Sequence, residues 1–250
     1  MRWSFRLFRV GETEIRIHVT FLILVAWYAW TGWRSNGPAG ALNETLFIVL
    51  LFASVLLHEF GHILAARRYG IPTPEILLSP IGGIARIAGM PTRPRQELVV
   101  SLAGPMVTLA IVAVGWAALV ATGEAAHFGN LIEQNALWPM VIVTNMALLV
   151  FNLIPAFPMD GGRVLRAALA GKLGLLRGTR IAARIGQVIA VVFIYGGLKG
   201  NVILMLIGFF VLTAAEGELQ MARRAAAIEQ LRAQGHLPAS PIDHDQRYGP

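Results

Sequence analysis

Leu56–Leu57–His58–Glu59–Phe60–Gly61–His62–Ile63–Leu64 is the stretch that decides how the chain is read. On a helix of 3.6 residues per turn, His58 and His62 lie one turn apart on the same face, so both imidazoles reach one metal ion. Glu59 sits beside them, placed to take a proton from a metal-bound water. The pattern is that of a zinc-hydrolase active site, but its setting is apolar: residues 45–55, which precede it, carry no charge. A helix of a soluble metalloprotease has a polar face, and this one has hardly any.

The composition agrees with that setting. Of 250 residues, 56% are hydrophobic and only 14% charged, with a mean hydropathy of +0.61, well away from the balance of a soluble domain. A polytopic membrane protein embedded in the lipid bilayer is expected. Cysteine is absent, which removes disulfides and thiolate metal sites and leaves histidine and carboxylate as candidate ligands. The net charge of +7 does not point to nucleic acid, because the basic residues fall in short clusters beside apolar spans rather than in one patch. Membrane topology accounts for them.

In chain order, residues 4–10 and 14–18 alternate large apolar with charged residues around Gly11–Glu12, a β-hairpin pattern at the membrane surface. Arg6, Arg9 and Arg16 interrupt it, which argues against a signal peptide. Residues 18–33 form a first apolar span, with Trp27, Trp30 and Trp33 suited to an interfacial belt. After a loop at Asn36–Gly37–Pro38, a second span over residues 46–66 carries the histidine motif and ends in Arg67–Arg68. Residues 69–95 are broken by Pro72, Pro74, Pro80, Gly82, Gly83, Gly89, Pro91 and Pro94, while Ile76–Leu77–Leu78 and Ile84–Ala85–Arg86–Ile87 are apolar enough to enter the membrane. This predicts a re-entrant, β-like loop over residues 76–87, allowed at depth only if buried against protein or lining a wet cavity. Further spans are expected at residues 98–121, 136–157, 185–198 and 202–215.

The fold class is therefore all-α polytopic, with about six transmembrane helices, an N-terminal β-hairpin and a re-entrant loop. Basic clusters mark the N-terminus, the segments after spans two and four, and Arg223–Arg224, and the intervening loops are poor in them. By the positive-inside rule both termini face the cytoplasm, and the histidine motif lies near that side. Residues 1–216 are expected to form the membrane core. Residues 217–250 are expected to form a cytoplasmic amphipathic helix (218–234) and a flexible tail.

Catalytic zinc usually takes three protein ligands and a water, so a third ligand is needed. Asp160 is the best candidate, in Asn152–Leu153–Ile154–Pro155–Ala156–Phe157–Pro158–Met159–Asp160–Gly161–Gly162. Pro155 and Pro158 break regular helix there, and Gly161–Gly162 permits tight turns. The topology puts this break at the depth of the histidine motif. Two plainer roles compete: Asp160 as a helix N-cap, and Asn152 as a partner for backbone freed near Pro155.

With these residues in place the chain resembles the site-2 protease family of intramembrane zinc metalloproteases. The resemblance rests on His58–Glu59–Phe60–Gly61–His62 followed by Asn152, Pro155, Pro158, Asp160 and Gly161, and extends to Gly82–Gly83 and Gly104–Pro105. It implies His58, His62 and Asp160 as ligands of one Zn2+ per chain, Glu59 as general base, and Asn152 as a polar group near the reacting carbonyl. It also implies a transmembrane protein substrate, such as an anti-sigma factor or another membrane-bound regulator, cut within or beside its transmembrane segment. Thr108 departs from the family, many of whose members carry Asn after the Gly-Pro. The branch implied is a compact one without the PDZ or CBS domain of some relatives. A zinc-binding membrane transporter would also place His and Asp in its spans, but would not need a Glu directly after the first His.

Overall fold

The computed structural model describes residues 3–80, 82–86 and 93–236. Ile81 and Ile87 of the expected re-entrant segment, Gly89 and Pro91 beyond it, and residues 237–250 of the expected tail lie outside the described residues. The chain forms two compact units, residues 1–154 with 159–164 and residues 155–158 with 165–250.

In the first unit, β1 (Ser4–Val10) and β2 (Thr13–His18) make the expected hairpin, turning at Gly11 with φ +60°. The predicted re-entrant stretch is a second hairpin, β3 (Glu75–Ser79) and β4 (Gly82–Arg86). The two hairpins share one sheet in the order β1-β2-β3-β4, because β2 and β3 pair in parallel with Ile15 opposite Ile76 and Ile17 opposite Leu78. Thr13 ties the join, donating its hydroxyl to Thr73 O at 2.6 Å and accepting from Arg67 Nη2 at 2.9 Å. One face of β2 and β3, with Ile15, Ile17, Ile76 and Leu78, packs into a core with Ile48, Phe52 and Ile63 of the following helix.

That helix, α1 (Val19–Arg67), is two arms. Asn36 (φ −135°, ψ 25°) and Gly37 (φ 60°, ψ −146°) leave helical geometry just before Pro38, as the loop at Asn36–Gly37–Pro38 predicts. A straight helix would hold Phe21 and Phe52 about 46 Å apart. Their ring centroids are 4.6 Å apart, and those of Tyr28 and Phe47 are 6.2 Å apart. The arms therefore run antiparallel, and Gly32 and Gly40 allow the closest approach, since a Cβ on either would strike the other's carbonyl oxygen. The second arm packs on α2 (Pro94–Ala121), where a Cβ on Gly61 would lie 2.6 Å from Ala103 O.

After a 3-10 turn (Glu124–His127), the short α3 (Phe128–Glu133) leads into α4 (Leu137–Leu153) at an angle of 85°. The fourth apolar helix is shorter than its expected extent to residue 157. Ile154 is held at ψ 128° because the ring of Pro155 disfavours helix in the residue before it. α5 (Asp160–Leu173) begins at the predicted break.

The second unit contains α6 (Leu175–Gly197) and α7 (Val202–Ala233). They are joined by a tight turn at Gly200 (φ +114°), with Asn201 capping Leu204 N at 3.0 Å. Gly197 against Met205, and Gly208 against Ala190 and Ile194, bring the two helices together as small residues do in membranes. Phe157, Ala182, Ala183, Ala215 and Leu219 form its core, over which Arg166 pairs with Glu218 at 2.8 Å. α6 starts ten residues ahead of the expected span at 185, and α7 continues without a break from the sixth span into the predicted amphipathic helix.

Among the described residues four helices are long and apolar enough to cross a membrane, or five when the bent pair α3–α4 counts as one. With the two arms of α1 taken separately, all six apolar segments expected from the sequence are helical. The chain is a multi-pass membrane protein with a small mixed sheet.

Candidate metal centre

Three elements of the first unit bring the site together. The second arm of α1 carries Ser54, His58 and His62 at intervals of four, one stripe on one face. α2 turns a matching stripe toward it, with Val100, Gly104 and Thr108 also at intervals of four. The first residue of α5 supplies Asp160.

The two helices leave each histidine a defined role for each ring nitrogen. His62 Nδ1 lies 2.7 Å from Val100 O. A carbonyl oxygen only accepts, so Nδ1 carries the proton and Nε2 of the neutral ring presents a lone pair. His58 Nδ1 lies 2.8 Å from Thr108 Oγ1, whose own hydroxyl is directed toward Gly104 O at 3.5 Å. The hydroxyl oxygen thus accepts from His58, and that ring also turns a bare Nε2 inward. Gly104 keeps the space open: a Cβ there would stand 2.7 Å from His58 Nε2 and closer still to His62 Nε2.

The inward atoms form a small triangle. His58 Nε2 is 3.1 Å from His62 Nε2, and Asp160 Oδ2 is 3.1 Å and 3.3 Å from the two nitrogens. Three acceptor atoms this close repel one another unless a positive charge, a proton or a metal ion, sits among them, so the cluster is built around a cation. Ligands on tetrahedral zinc at 2.0–2.1 Å stand about 3.3 Å apart, close to the edges of this triangle. Two neutral imidazoles and a carboxylate, each imidazole held by a hydrogen bond on its far nitrogen, are a donor set that fits zinc. Among the described residues this is the one cluster of histidine and acidic side chains placed to hold a metal.

Glu59 and Asn152 are brought to the same place. Both border a cavity of about 170 Å³ whose wall also includes His58, Gly83, Thr108 and Asn145. Gly83 of β4 lies against Glu59, and a Cβ on it would be 2.8 Å from Glu59 Cγ. All five predicted site residues therefore converge in the first unit.

Two polar residues of this cavity were not legible as site residues. Asn145, one helical face with Asn152 on α4, is fully buried and donates through Nδ2 to Val141 O at 2.9 Å and Ser54 Oγ at 3.2 Å. Ser54 in turn donates to Leu50 O at 3.0 Å. The sequence signal was spacing alone: Ser54 sits one turn before His58, and Asn145 two turns before Asn152. Thr108, whose departure from the family left its role open, proves to be the partner of His58.

A helical membrane protein with an HExxH helix, a distant aspartate and a strand hairpin over the glutamate is an intramembrane metallohydrolase in build. The sequence model of peptidase family M50 matches residues 46–135 and 121–193. The chain is 37% identical to the zinc metalloprotease MJ0392 of Methanocaldococcus jannaschii, over 97% of this chain and 68% of that protein. It is 31% identical to the putative zinc metalloprotease Rip3 of Mycobacterium tuberculosis, over 87% of this chain and 59% of that one. Among solved structures, the site-2 protease from Methanocaldococcus jannaschii superposes with a TM-score of 0.59 at 37% identity, covering 87% of this chain and 95% of that chain. The chain belongs to peptidase family M50, the site-2 protease family of intramembrane zinc metalloproteases.

Proposed function

We propose that His58, His62 and Asp160 hold one zinc ion per chain, that Glu59 carries the proton in peptide hydrolysis, and that Asn152 donates a hydrogen bond to the reacting carbonyl. The reading rests above all on the triangle of Nε2, Nε2 and Oδ2, edges 3.1 to 3.3 Å, with both Nδ1 atoms engaged elsewhere. Zinc bound there supplies a Lewis acid that polarises the scissile carbonyl and lowers the pKa of water toward about 7. Glu59 takes a proton from the attacking water as its oxygen bonds to the carbonyl carbon. It delivers that proton to the amide nitrogen as the C–N bond breaks. Asn152 Nδ2 donates to the carbonyl oxygen as negative charge builds on it, an effect worth roughly 3 to 4 kcal/mol in comparable sites.

The substrate is a transmembrane protein, and a membrane-bound regulator such as an anti-sigma factor fits the family. A helical peptide bond is shielded from attack, so the substrate segment has to unwind. β4 is the end strand of its sheet and passes directly over Glu59 at Gly83. An extended segment adding to β4 would satisfy its own backbone and lie beside the catalytic glutamate. A photo-crosslinker at position 82 is expected to capture bound substrate at or next to its cleavage site. Capture confined to the outer β1 strand would rule this docking out. The basic clusters support both termini facing the cytoplasm, and a bacterial inner membrane is the setting that the family resemblance suggests. Residues 1–216 then make the catalytic core and residues 217–250 a cytoplasmic extension.

Replacing Glu59 with Gln tests the chemical assignment. The variant should keep its zinc and lose cleavage of a reconstituted substrate by at least about a hundredfold. Retained cleavage would remove Glu59 from the mechanism, and lost zinc would make it a ligand rather than a base.

A further inference from the structure

The hairpin of α6 and α7 carries charge at a depth where a bilayer should not tolerate it. Between the turn at Lys199 and the first charges on either side, the hairpin has only 14 uncharged residues in each limb, 185–198 leading into the turn and 202–215 leading out of it. Such segments are about 21 Å long, some 9 Å short of a hydrocarbon core of about 30 Å. With the turn at one interface, where Lys199 lies over the Tyr195 ring at 5.4 Å, Arg184 and Glu216 fall inside the opposite boundary. Arg223, two turns further along α7, reaches the headgroup level.

These residues share a trough. A cavity of about 490 Å³ between the two helices is walled by Arg184, Gln187, Glu216 and Arg223 at one end and by Val188 and Val192 along its length. The valines follow Arg184 at four and eight residues, one face of α6, and are 65% and 62% exposed. Glu216 is already engaged, accepting from Gln187 Nε2 at 3.2 Å and Gln220 Nε2 at 3.3 Å. Arg184 and Arg223 have no hydrogen-bond or ion-pair partner among the described residues, and Arg180 adds a further exposed cation one turn above Arg184.

We propose that this trough is a binding site for one anionic glycerophospholipid, its phosphate between Arg184 and Arg223 and an acyl chain along Val188 and Val192. The two arginines outweigh the single carboxylate of Glu216, whose oxygens are turned to Gln187 and Gln220. Two unpaired guanidiniums bind phosphate oxygens bidentately, an apolar stripe leads from them into the membrane, and a headgroup drawn inward relieves the short span. A soluble anion has no use for the valine stripe, and a zwitterionic lipid brings its own cation to the arginines.

Native mass spectrometry of the full chain released from detergent, with dioleoyl phosphatidylglycerol or dioleoyl phosphatidylcholine added, tests the site. One phosphatidylglycerol per chain should be retained roughly tenfold or more tightly than phosphatidylcholine. Arg184→Gln with Arg223→Gln should abolish that preference, and Val188→Trp, which fills the trough without changing charge, should weaken phosphatidylglycerol as well. Thermal unfolding in detergent verifies that each variant is folded; Arg223→Gln alone, on an exposed position, keeps the test open if the double variant is not, and should itself weaken retention several-fold. Unchanged retention in the folded arginine variants would overturn the proposal. So would equal loss on Arg95→Gln, which would mark general electrostatics, or displacement by millimolar inorganic phosphate, which would mark a free-anion site.

Discussion

At the scale of residues, the centre is defined by what the histidines do with their outward nitrogens. Val100 O accepts a hydrogen bond from His62 Nδ1 and Thr108 Oγ1 one from His58 Nδ1, at 2.7 and 2.8 Å. Thr108 is buried, 2% exposed. Thr108→Val keeps the shape and removes the acceptor. It is expected to weaken zinc about 10- to 100-fold in a chelator competition, while Thr108→Ser stays near wild type. Equal affinity in Thr108→Val would mean that packing alone sets the His58 ring. The proposed ligands were legible because their chemistry is local: four-residue spacing for His58 and His62, and a helix break for Asp160. Thr108, Ser54 and Asn145 were not, because each acquires its meaning from a neighbour on another helix. A lone threonine or serine in an apolar run reads as filler until the facing stripe is known.

Elements tell the same story at longer range. The reversal of α1 was legible in Asn36–Gly37–Pro38, a trio that no helix carries comfortably. What holds the reversal is the contact between Gly32 and Gly40, which the sequence does not announce. Gly40→Leu would drive a side chain into the Gly32 carbonyl and push the arms apart. The melting temperature in detergent should fall by several degrees or more, since the clash is with backbone and no rotamer relieves it. An unchanged melting temperature would show that the arms separate freely. The first hairpin was legible from alternation and the second, as a re-entrant β-like loop, from apolar runs between proline and glycine breaks, but their union was not. Parallel pairing of Ile15 with Ile76 joins strands about sixty residues apart, and period-two patterns name a partner face without naming the partner strand. The end of α4 was placed too late for a related reason: apolar residues continue to Phe157 while Pro155 has already ended the helix. Hydropathy and backbone geometry disagree over those residues, and geometry wins.

Across the whole molecule, the apolar composition and the metal site explain each other. Buried histidines and carboxylates are costly in a membrane unless a cation or another partner compensates them. The first unit gathers both histidines, the aspartate, the glutamate and the strand hairpin above it, so it contains the complete set of groups proposed for catalysis. The second unit is an α-helical hairpin with its own small-residue core and, on the proposal above, its own lipid. All of the proposed chemistry depends on one zinc ion held by two imidazoles and a carboxylate. X-ray absorption at the zinc edge, with metal content per chain, tests this on the purified full-length protein and on His62→Ala and Asp160→Ala. One zinc per chain is expected in the wild type, bound through two imidazole nitrogens and oxygen at 2.0–2.1 Å. Each variant should lose the ion or the corresponding ligand signal. Full zinc content with an unchanged spectrum in either variant would contradict the assignment.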